Sequence, residues 1–187
     1  MASTDTEKLP YYEIGARLRK ACVADARAIQ ALINLYAERD EMLHRSLGEI
    51  YENIRDFYVV ETGEGEIVAC GGLHVVWSHL AEIKSLAVKE PYQGCGLGKA
   101  IALACVEEAQ DLGLKTVFAL TYKPEFFARI GFKVVDKATL PHKVWNECVR
   151  CPKFPGCGEI AMVRELAPAT EEVIPPAPVR LALPLIE

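Results

Sequence analysis

The sequence lacks any uninterrupted apolar run of about 18 residues, the length that a membrane-spanning helix needs. Its first residues, MASTDTEKLPYYE, lack the hydrophobic segment of a secretory signal peptide. It also lacks a basic cluster, since 21 lysines and arginines face 26 aspartates and glutamates, for a formal net charge of −5. These absences argue against membrane and nucleic-acid partners. We therefore expect a cytoplasmic protein.

Seven cysteines are present, an odd number that cannot all pair within one chain. In a reducing compartment most of them are expected to be free and buried. Four lie scattered in apolar surroundings and are predicted to be core or near-core thiols: Cys22, Cys70, Cys95 and Cys105.

A separate cysteine cluster occurs in the segment CVRCPKFPGC. The Cys-x-x-Cys spacing suits zinc, and one upstream histidine completes a tetrahedral set made of Cys148, Cys151, Cys157 and His142. Three interpretations are open: a structural zinc site, a redox-sensitive cysteine pair, or three reduced cysteines in a proline-rich loop.

Length and composition indicate one folded domain. The chain has 187 residues and 51% hydrophobic residues, enough for a single core. We expect an N-terminal segment over 1–12, the domain over 13–165 and a proline-rich, flexible tail over 166–187. Five of the eleven prolines lie in the last 21 residues.

The pattern of apolar residues predicts the order β-α-α-β-β-β-α-β-α-β-β, beginning with a strand at 13–19. Asp25 is predicted to cap the first helix, and Ser46 with Glu49 forms a capping box for the second. In the strand LAEIKSLAV, alternation predicts one face made of Ile83, Ser85 and Ala87.

The stretch PYQGCGLGKAIALACVEEA, residues 91–109, places three glycines before a run of helix-forming residues. A glycine loop that opens a helix aims backbone N–H groups at an anion. A P-loop is excluded because Ala100 follows Gly98-Lys99 where Ser or Thr is needed. The dinucleotide fingerprint G-x-G-x-x-G is not matched either.

The pattern Gln93-x-x-Gly96-x-Gly98 resembles the acyl-CoA loop of the GCN5-related N-acetyltransferases (GNAT). The later stretch EFFARIGF, residues 125–132, resembles a second motif of that family, and the resemblance extends over about 13–165. It implies an α/β (α+β) fold, with a mixed, mostly antiparallel central sheet. The fourth and fifth strands of that sheet splay apart, and helices flank it.

The resemblance implies acetyl-CoA as co-substrate, with its pyrophosphate on the N–H groups of residues 94–99 and its pantetheine arm along the fourth strand. A backbone N–H of that strand is expected to hold the oxyanion. The implied contacts are Leu86, Ala87, Val88, Gln93, Gly94, Cys95, Gly96, Leu97, Gly98, Lys99 and Phe127.

Three further features resemble the short, single-domain N-acetylglutamate synthases of arginine biosynthesis: the stretch 41–59, the segment AEIKSLAV and the short chain. This implies acetylation of the α-amine of L-glutamate by direct attack in a ternary complex. Arg45 is the candidate for a carboxylate of the substrate, assisted by Ser46. Lys84 and Lys143 compete for the other carboxylate.

Glu82 is the candidate general base, because the amine must lose a proton before it attacks. Many family members have a tyrosine that protonates the leaving thiolate, but Phe127 stands there and cannot donate a proton. Ser85, Thr121 and Tyr122 are the candidate acids.

Two alternatives stay open at this point. One is the same fold with another acceptor, such as glutamine, aspartate or a protein N-terminus. The other is a non-catalytic acyl-CoA-binding module. Hydrophobic strands after residue 130 are compatible with a homodimer.

Overall fold

A computed structural model describes residues 15–141 and 156–166 of the chain. The order of helices and strands is the predicted one. The elements are β1 (Arg17–Lys20), α1 (Ala26–Ala37), α2 (Leu47–Glu52), β2 (Phe57–Glu61), β3 (Ile67–Trp77), β4 (Leu80–Val88), α3 (Leu97–Asp111), β5 (Thr116–Thr121), α4 (Pro124–Ala128), β6 (Lys133–Val135) and β7 (Ile160–Glu165). No helix in these ranges is long and apolar enough to cross a bilayer.

The seven strands form one sheet in the order β1-β2-β3-β4-β5-β7-β6. Among the strands that the structure describes, only β4 and β5 are parallel, because α3 carries the chain back across the sheet between them. Their pairing ends at Glu82 and Phe118, although β4 continues to Val88 and β5 to Thr121. The two strands therefore diverge, and the predicted fold, a mixed and mostly antiparallel sheet with splayed fourth and fifth strands, is confirmed.

Helices cover both faces of the sheet. On one face α1 and α2 bury Ile33 and Ile50 against Val59. On the other face α3 buries Ile101 against Val60 and neighbouring residues. The central part of each sheet face is thus removed from water by apolar contact, which is the main source of stability for such a layered domain.

The predicted alternation along β4 is wrong beyond Lys84, because the strand contains a β-bulge. The register with β3 shifts between the pairs Gly72–Lys84 and Cys70–Ala87, and Ser85 has a φ of 55°. One extra residue at a bulge reverses the side on which later side chains point. Ile83 therefore packs on the α3 side and Ala87 on the α1 side.

A glycine on β3 lies opposite this bulge. A Cβ atom at Gly71 would lie 2.8 Å from both Ile101 Cγ2 and Leu86 Cδ1, closer than real Cβ contacts. The absent side chain lets α3 and the bulged part of β4 approach β3, and this packing holds the bulge in place.

Asp25 does not cap α1 with its side chain, contrary to the sequence prediction. Its carboxylate instead accepts hydrogen bonds from Arg19 Nη1 and Nη2, at 2.6 and 2.9 Å, and from the Cys22 N–H at 2.8 Å. The Arg19 hydrogen bonds are the main cause that lowers the pKa of Asp25 from 3.8 to about 2. The carboxylate fastens β1 to the turn before α1. The predicted Ser46–Glu49 capping box of α2 is confirmed.

Asp25→Asn is expected to lower the free energy of unfolding at pH 7 by about 2 kcal/mol, as the pKa difference between the folded and unfolded chain implies. Because the folded pKa is depressed, the ionised carboxylate stabilises the fold above about pH 4. That contribution is lost as pH falls from about 4 to about 2. Urea unfolding at decreasing pH checks this. Glu64→Gln, in an exposed turn, is the control that should show no such difference.

The four scattered cysteines are not equally buried. Cys70 and Cys105 are buried, and burial raises the pKa of both thiols to about 12, which makes them unreactive. Cys95 is half-buried. Cys22 is exposed, so its predicted core position is wrong: it precedes the turn Val23–Asp25 at the surface.

Candidate active site

A cleft of about 630 Å³ opens where β4 and β5 diverge. Its walls come from the second half of β4, the glycine loop, the end of β5, α4 and the loop between α1 and α2. The cleft brings together most of the predicted site residues: Arg45, Glu82, Lys84, Ser85, Leu86, Ala87, Val88, Gln93, Gly94, Gly96, Leu97, Gly98, Lys99, Thr121 and Phe127.

The glycine loop has the geometry of an anion site. Gly94 and Gly96 adopt φ values of 80° and 84°, which other residues adopt only with strain. Gly96 is the N-cap of α3, and the N–H of Ala100 is bonded to its carbonyl oxygen. The N–H groups of the first α3 turn therefore precede the helical ladder and lack acceptors within the helix. A Cβ at Gly94 would meet no protein atom within 4 Å, so the loop surface is open to a ligand.

Gln93 points its side chain towards the protein. Its Nε2 lies 2.9 Å from the Tyr36 hydroxyl oxygen and 3.1 Å from the carbonyl oxygen of Val88, and donates to both. The Tyr36 hydroxyl itself donates to that carbonyl. Burial is the main cause that raises the pKa of Tyr36, so the hydroxyl stays protonated at neutral pH. Both amide hydrogens of Gln93 are thus used to fasten the loop to α1 and β4.

Tyr36→Phe is expected to weaken CoA binding about five- to tenfold, because the hydroxyl's hydrogen bonds with Gln93 of the loop and with the carbonyl oxygen of Val88 at the end of β4 are both lost. Calorimetric titration with CoA measures this without any acceptor. Tyr51→Phe, on the exposed side of α2, is the matched control. An unchanged CoA affinity in Tyr36→Phe would remove the hydroxyl from the support of the loop.

The backbone of β4 borders the cleft along its unpaired edge. Beyond Glu82 this strand has no pairing with β5 in the residues that the structure describes. The bulge also interrupts its ladder with β3, where the Ser85 carbonyl accepts a hydrogen bond from the Cys70 thiol at 3.7 Å. Such an edge can pair with an extended amide-bearing ligand, and a bulge re-aims a backbone N–H.

Arg45 is held in the cleft wall by α1. Asn34 binds its backbone in both directions: Oδ1 accepts from the Arg45 N–H at 2.9 Å, and Nδ2 donates to its carbonyl oxygen at 3.0 Å. The Arg45 side chain is only 15% exposed, and Nη1 lies 3.8 Å from Glu49 Oε1. The arginine is therefore a positioned group in the cleft and not a surface charge.

Glu82 and Lys84 line the cleft from β4. Both precede the bulge and are two residues apart, so they lie on the same face of the strand, opposite to the core residue Ile83. A carboxylate and an ammonium group are thus presented side by side near the point where β4 leaves β5.

The end of β5 and α4 form the opposite wall. Thr121 Oγ1 accepts a hydrogen bond from the Lys123 N–H at 2.9 Å. A hydroxyl group that accepts in this way can also donate its own hydrogen to another acceptor. Tyr122 lines the cleft with its hydroxyl 3.9 Å from Cys157 Sγ. Phe127 is 5% exposed and packs edge-on against Phe126 and Phe132, which makes this wall apolar.

Two predicted site residues lie outside the cleft lining. The Ser46 hydroxyl accepts from the Glu49 N–H at 3.2 Å as the cap of α2. Cys95 lies in the loop, with its thiol 3.8 Å from the Gln93 carbonyl oxygen. Their contacts with substrates stay predictions.

Most of the predicted zinc site falls outside the described residues, as does Lys143. Only Cys157 of the four ligands is described; it lies near Tyr122 and 3.5 Å from Glu159 Oε2. Within 15–141 and 156–166 no group of three or more His, Cys, Asp or Glu side chains is arranged to hold a metal ion. The three interpretations of the cluster stay open.

The cleft also contains residues that sequence reasoning missed as site residues, among them Tyr36, Glu41, Lys123, Arg129 and Glu159. Glu41 and Lys123 form an ion pair of 3.5 Å between the two walls. Tyr36 occurs at helical spacing among core residues, so its pattern predicted only packing. Glu41 is the first residue of the stretch 41–59, and the family resemblance of that stretch was the one sequence signal that could have placed Glu41 in the site.

Comparisons with known proteins agree with this geometry. The family model of the Acetyltransferase (GNAT) family matches residues 14–132. An uncharacterized N-acetyltransferase of Chlorobaculum tepidum is 39% identical over 149 residues, which cover 80% of this chain and 96% of the relative. An amino-acid acetyltransferase of Mycobacterium tuberculosis is 38% identical over 135 residues, covering 71% and 77%.

A solved structure is also similar: N-acetylglutamate synthase from Neisseria gonorrhoeae, complexed with coenzyme A and N-acetyl-glutamate. The TM-score is 0.74 at 27% identity, over 81% of this chain and 35% of that one. The family model, the relatives and the similar structure all support the interpretation of the glycine loop as an acyl-CoA site. The chain belongs to the GNAT family of acetyltransferases, for which acetyl-CoA is the acetyl donor.

Proposed function

We propose that the protein transfers acetyl from acetyl-CoA to the α-amine of L-glutamate, as the first step of arginine biosynthesis in the cytoplasm. The observation that carries the proposal is Arg45, a partly buried arginine in the same cleft as the glycine loop. The names of the mycobacterial relative and of the gonococcal structure support an amino acid, and glutamate in particular.

The acceptor is bound through its two carboxylates. The planar guanidinium of Arg45 matches the α-carboxylate with two hydrogen bonds, and Asn34 fixes the backbone that carries it. Lys84, which lines the cleft from β4, is one candidate to bind the side-chain carboxylate. Lys143 is the other candidate. Ser46 is a secondary contact. A dicarboxylic amino acid is thus matched by two cations at different walls.

The donor is bound by the glycine loop and by β4. The N–H groups of residues 94–99, with the positive end of the α3 dipole, receive the pyrophosphate, and Lys99 adds a positive charge. Leu86, Ala87 and Val88 offer backbone groups to the pantetheine amides. An N–H freed by the bulge holds the oxygen of the thioester carbonyl as negative charge develops.

Glu82 accepts a proton from the ammonium group of the substrate, directly or through one water molecule. The neutral amine attacks the thioester carbonyl and the C–N bond forms. The nitrogen then gives its second proton to water as the C–S bond breaks. The leaving thiolate takes a proton from Thr121, Tyr122, Ser85 or water. The cleft holds both substrates at once, so no acetylated protein residue is needed.

Steady-state kinetics with varied acetyl-CoA and L-glutamate test this proposal. Intersecting double-reciprocal lines, with one N-acetylglutamate formed for each CoA released, are expected for direct transfer. Parallel lines would contradict the ternary complex. Turnover of other amines but not of glutamate would contradict the acceptor.

We also propose that two copies associate. Within residues 15–141 and 156–166 the sheet ends at β6, and Val134 on this edge strand is 64% exposed. The unpaired backbone groups of an edge strand, together with an exposed apolar side chain, offer a surface on which a second chain can pair. A homodimer in which two β6 edges meet is therefore the proposed assembly.

A further inference from the structure

A histidine–aspartate pair lies next to the proposed base and has no role in the steps above. His74 Nδ1, on β3, is 2.7 Å from Oδ2 of Asp56, which ends the turn before β2. A carboxylate only accepts hydrogen bonds, so Nδ1 carries the hydrogen and donates it. Nε2 of the neutral imidazole is therefore an acceptor, and the ring orientation is fixed.

The strand register places His74 directly opposite Glu82. The two residues are partners in the antiparallel pairing of β3 and β4. Opposed residues lie on the same face with Cβ atoms about 5 Å apart. The preceding partners, Leu73 and Ile83, both belong to the core on the α3 side, so His74 and Glu82 lie on the other face.

Glu82 and His74 differ in what they face. Glu82 lines the cleft, whereas His74 is not part of its lining in the described ranges. The His74 side chain is 36% exposed, and that of Asp56 is 27% exposed. His74 therefore lies beside Glu82 on the same face of the sheet and also reaches solvent outside the cleft.

The reaction releases a proton that must reach bulk solvent. At neutral pH the ammonium nitrogen loses two protons and the thiolate takes up one, so each turnover releases one net proton. While both substrates fill the cleft, Glu82 has restricted access to bulk water through it. A neighbouring side chain on β3 that is exposed to solvent outside the cleft provides another route.

We propose that His74, oriented by Asp56, is a positioning residue that carries the proton from Glu82 to solvent; this rests on the proposed role of Glu82. The carboxylate of Glu82 takes the proton from the ammonium group. The proton passes to His74 Nε2, and Glu82 regains its negative charge. The imidazolium is stabilised by the Asp56 carboxylate and gives its proton to bulk water. Only O–H and N–H bonds change.

The test is steady-state kinetics of His74→Gln with the amine that the wild-type enzyme acetylates fastest. We expect kcat to fall about tenfold, which is less than the loss of the base itself would cause. KM for both substrates and the melting temperature should be nearly unchanged. His79→Gln, an exposed histidine in the β3–β4 turn, is the matched control with unchanged kcat. Asp56→Asn should show a smaller loss.

A second measurement separates proton transfer from packing. In His74→Ala, added imidazole should restore part of kcat, because the site is open to solvent. Unchanged kcat in His74→Gln, or a loss in His74→Ala that imidazole does not restore, would overturn the proposal. A wild-type enzyme that rejects glutamate but acetylates another amine contradicts only the acceptor, since the variants are then compared on that amine.

Discussion

Glu82→Gln will lower kcat about 100-fold near neutral pH, the scale of a positioned general base. The amide has nearly the same size as the carboxylate but cannot accept the proton of the ammonium group. The deficit should shrink as pH rises, because more of the free amine is then already neutral. KM for acetyl-CoA should change little, because the glycine loop is not altered.

The pH dependence distinguishes a base from a merely structural carboxylate. A rate deficit that stays constant across pH would contradict the proposed role, even if the deficit were large. Glu107→Gln, exposed on α3, is the charge-matched control and should follow the wild-type profile. Circular dichroism and CoA titration establish that the Glu82→Gln protein is folded and binds its donor.

Arg45→Ala will raise KM for L-glutamate about 100-fold, with a smaller effect on KM for acetyl-CoA. Loss of charge-assisted hydrogen bonds to a carboxylate costs about 3 kcal/mol, and every 1.4 kcal/mol corresponds to about a tenfold change. The side chain is only 15% exposed, so water replaces it poorly as a partner for the substrate.

Arg45→Lys keeps the positive charge but loses the planar fork, and an intermediate KM is expected. Arg27→Ala, exposed on α1, controls for the change in net charge. An unaltered KM for glutamate in Arg45→Ala would place the acceptor elsewhere in the cleft. Apart from Lys99 in the glycine loop, the remaining cations of the lining are Lys84, Lys123 and Arg129, and these would then be the next to replace.

The donor side of the cleft was predictable from sequence because its determinants are local. Glycines at 94 and 96 adopt the left-handed conformation that other residues avoid, and the helix that follows begins at Leu97. Spacing alone therefore located the anion loop. The hydrogen bond from Gln93 to Tyr36 was not predictable, since Tyr36 is 57 residues away in sequence and its spacing is that of a core residue.

The bulge in β4 shows where pattern reasoning fails. Period-2 alternation assumes an uninterrupted ladder, but Gly71 allows close packing that accommodates an extra residue near Ser85. Similarly, Asp25 has the sequence position of a helix cap, yet its carboxylate binds Arg19 on β1 and makes no cap hydrogen bond to α1. Both errors arise from contacts between segments that are separate in sequence.

The central claim is that glutamate is the acceptor, and direct competition tests it best. The enzyme is incubated with acetyl-CoA and an equimolar mixture of the common amino acids at low concentration. Mass spectrometry then follows each N-acetyl product, whose initial rates give the ratios of kcat/KM. We expect N-acetylglutamate to form at least about tenfold faster than N-acetylglutamine, because two cations match its two carboxylates. N-acetylaspartate should also form about tenfold more slowly, because the aspartate side chain is one methylene shorter and its second carboxylate does not reach the same cation. Faster formation of another product, or CoA binding with no acetylated amino acid, would contradict the assignment.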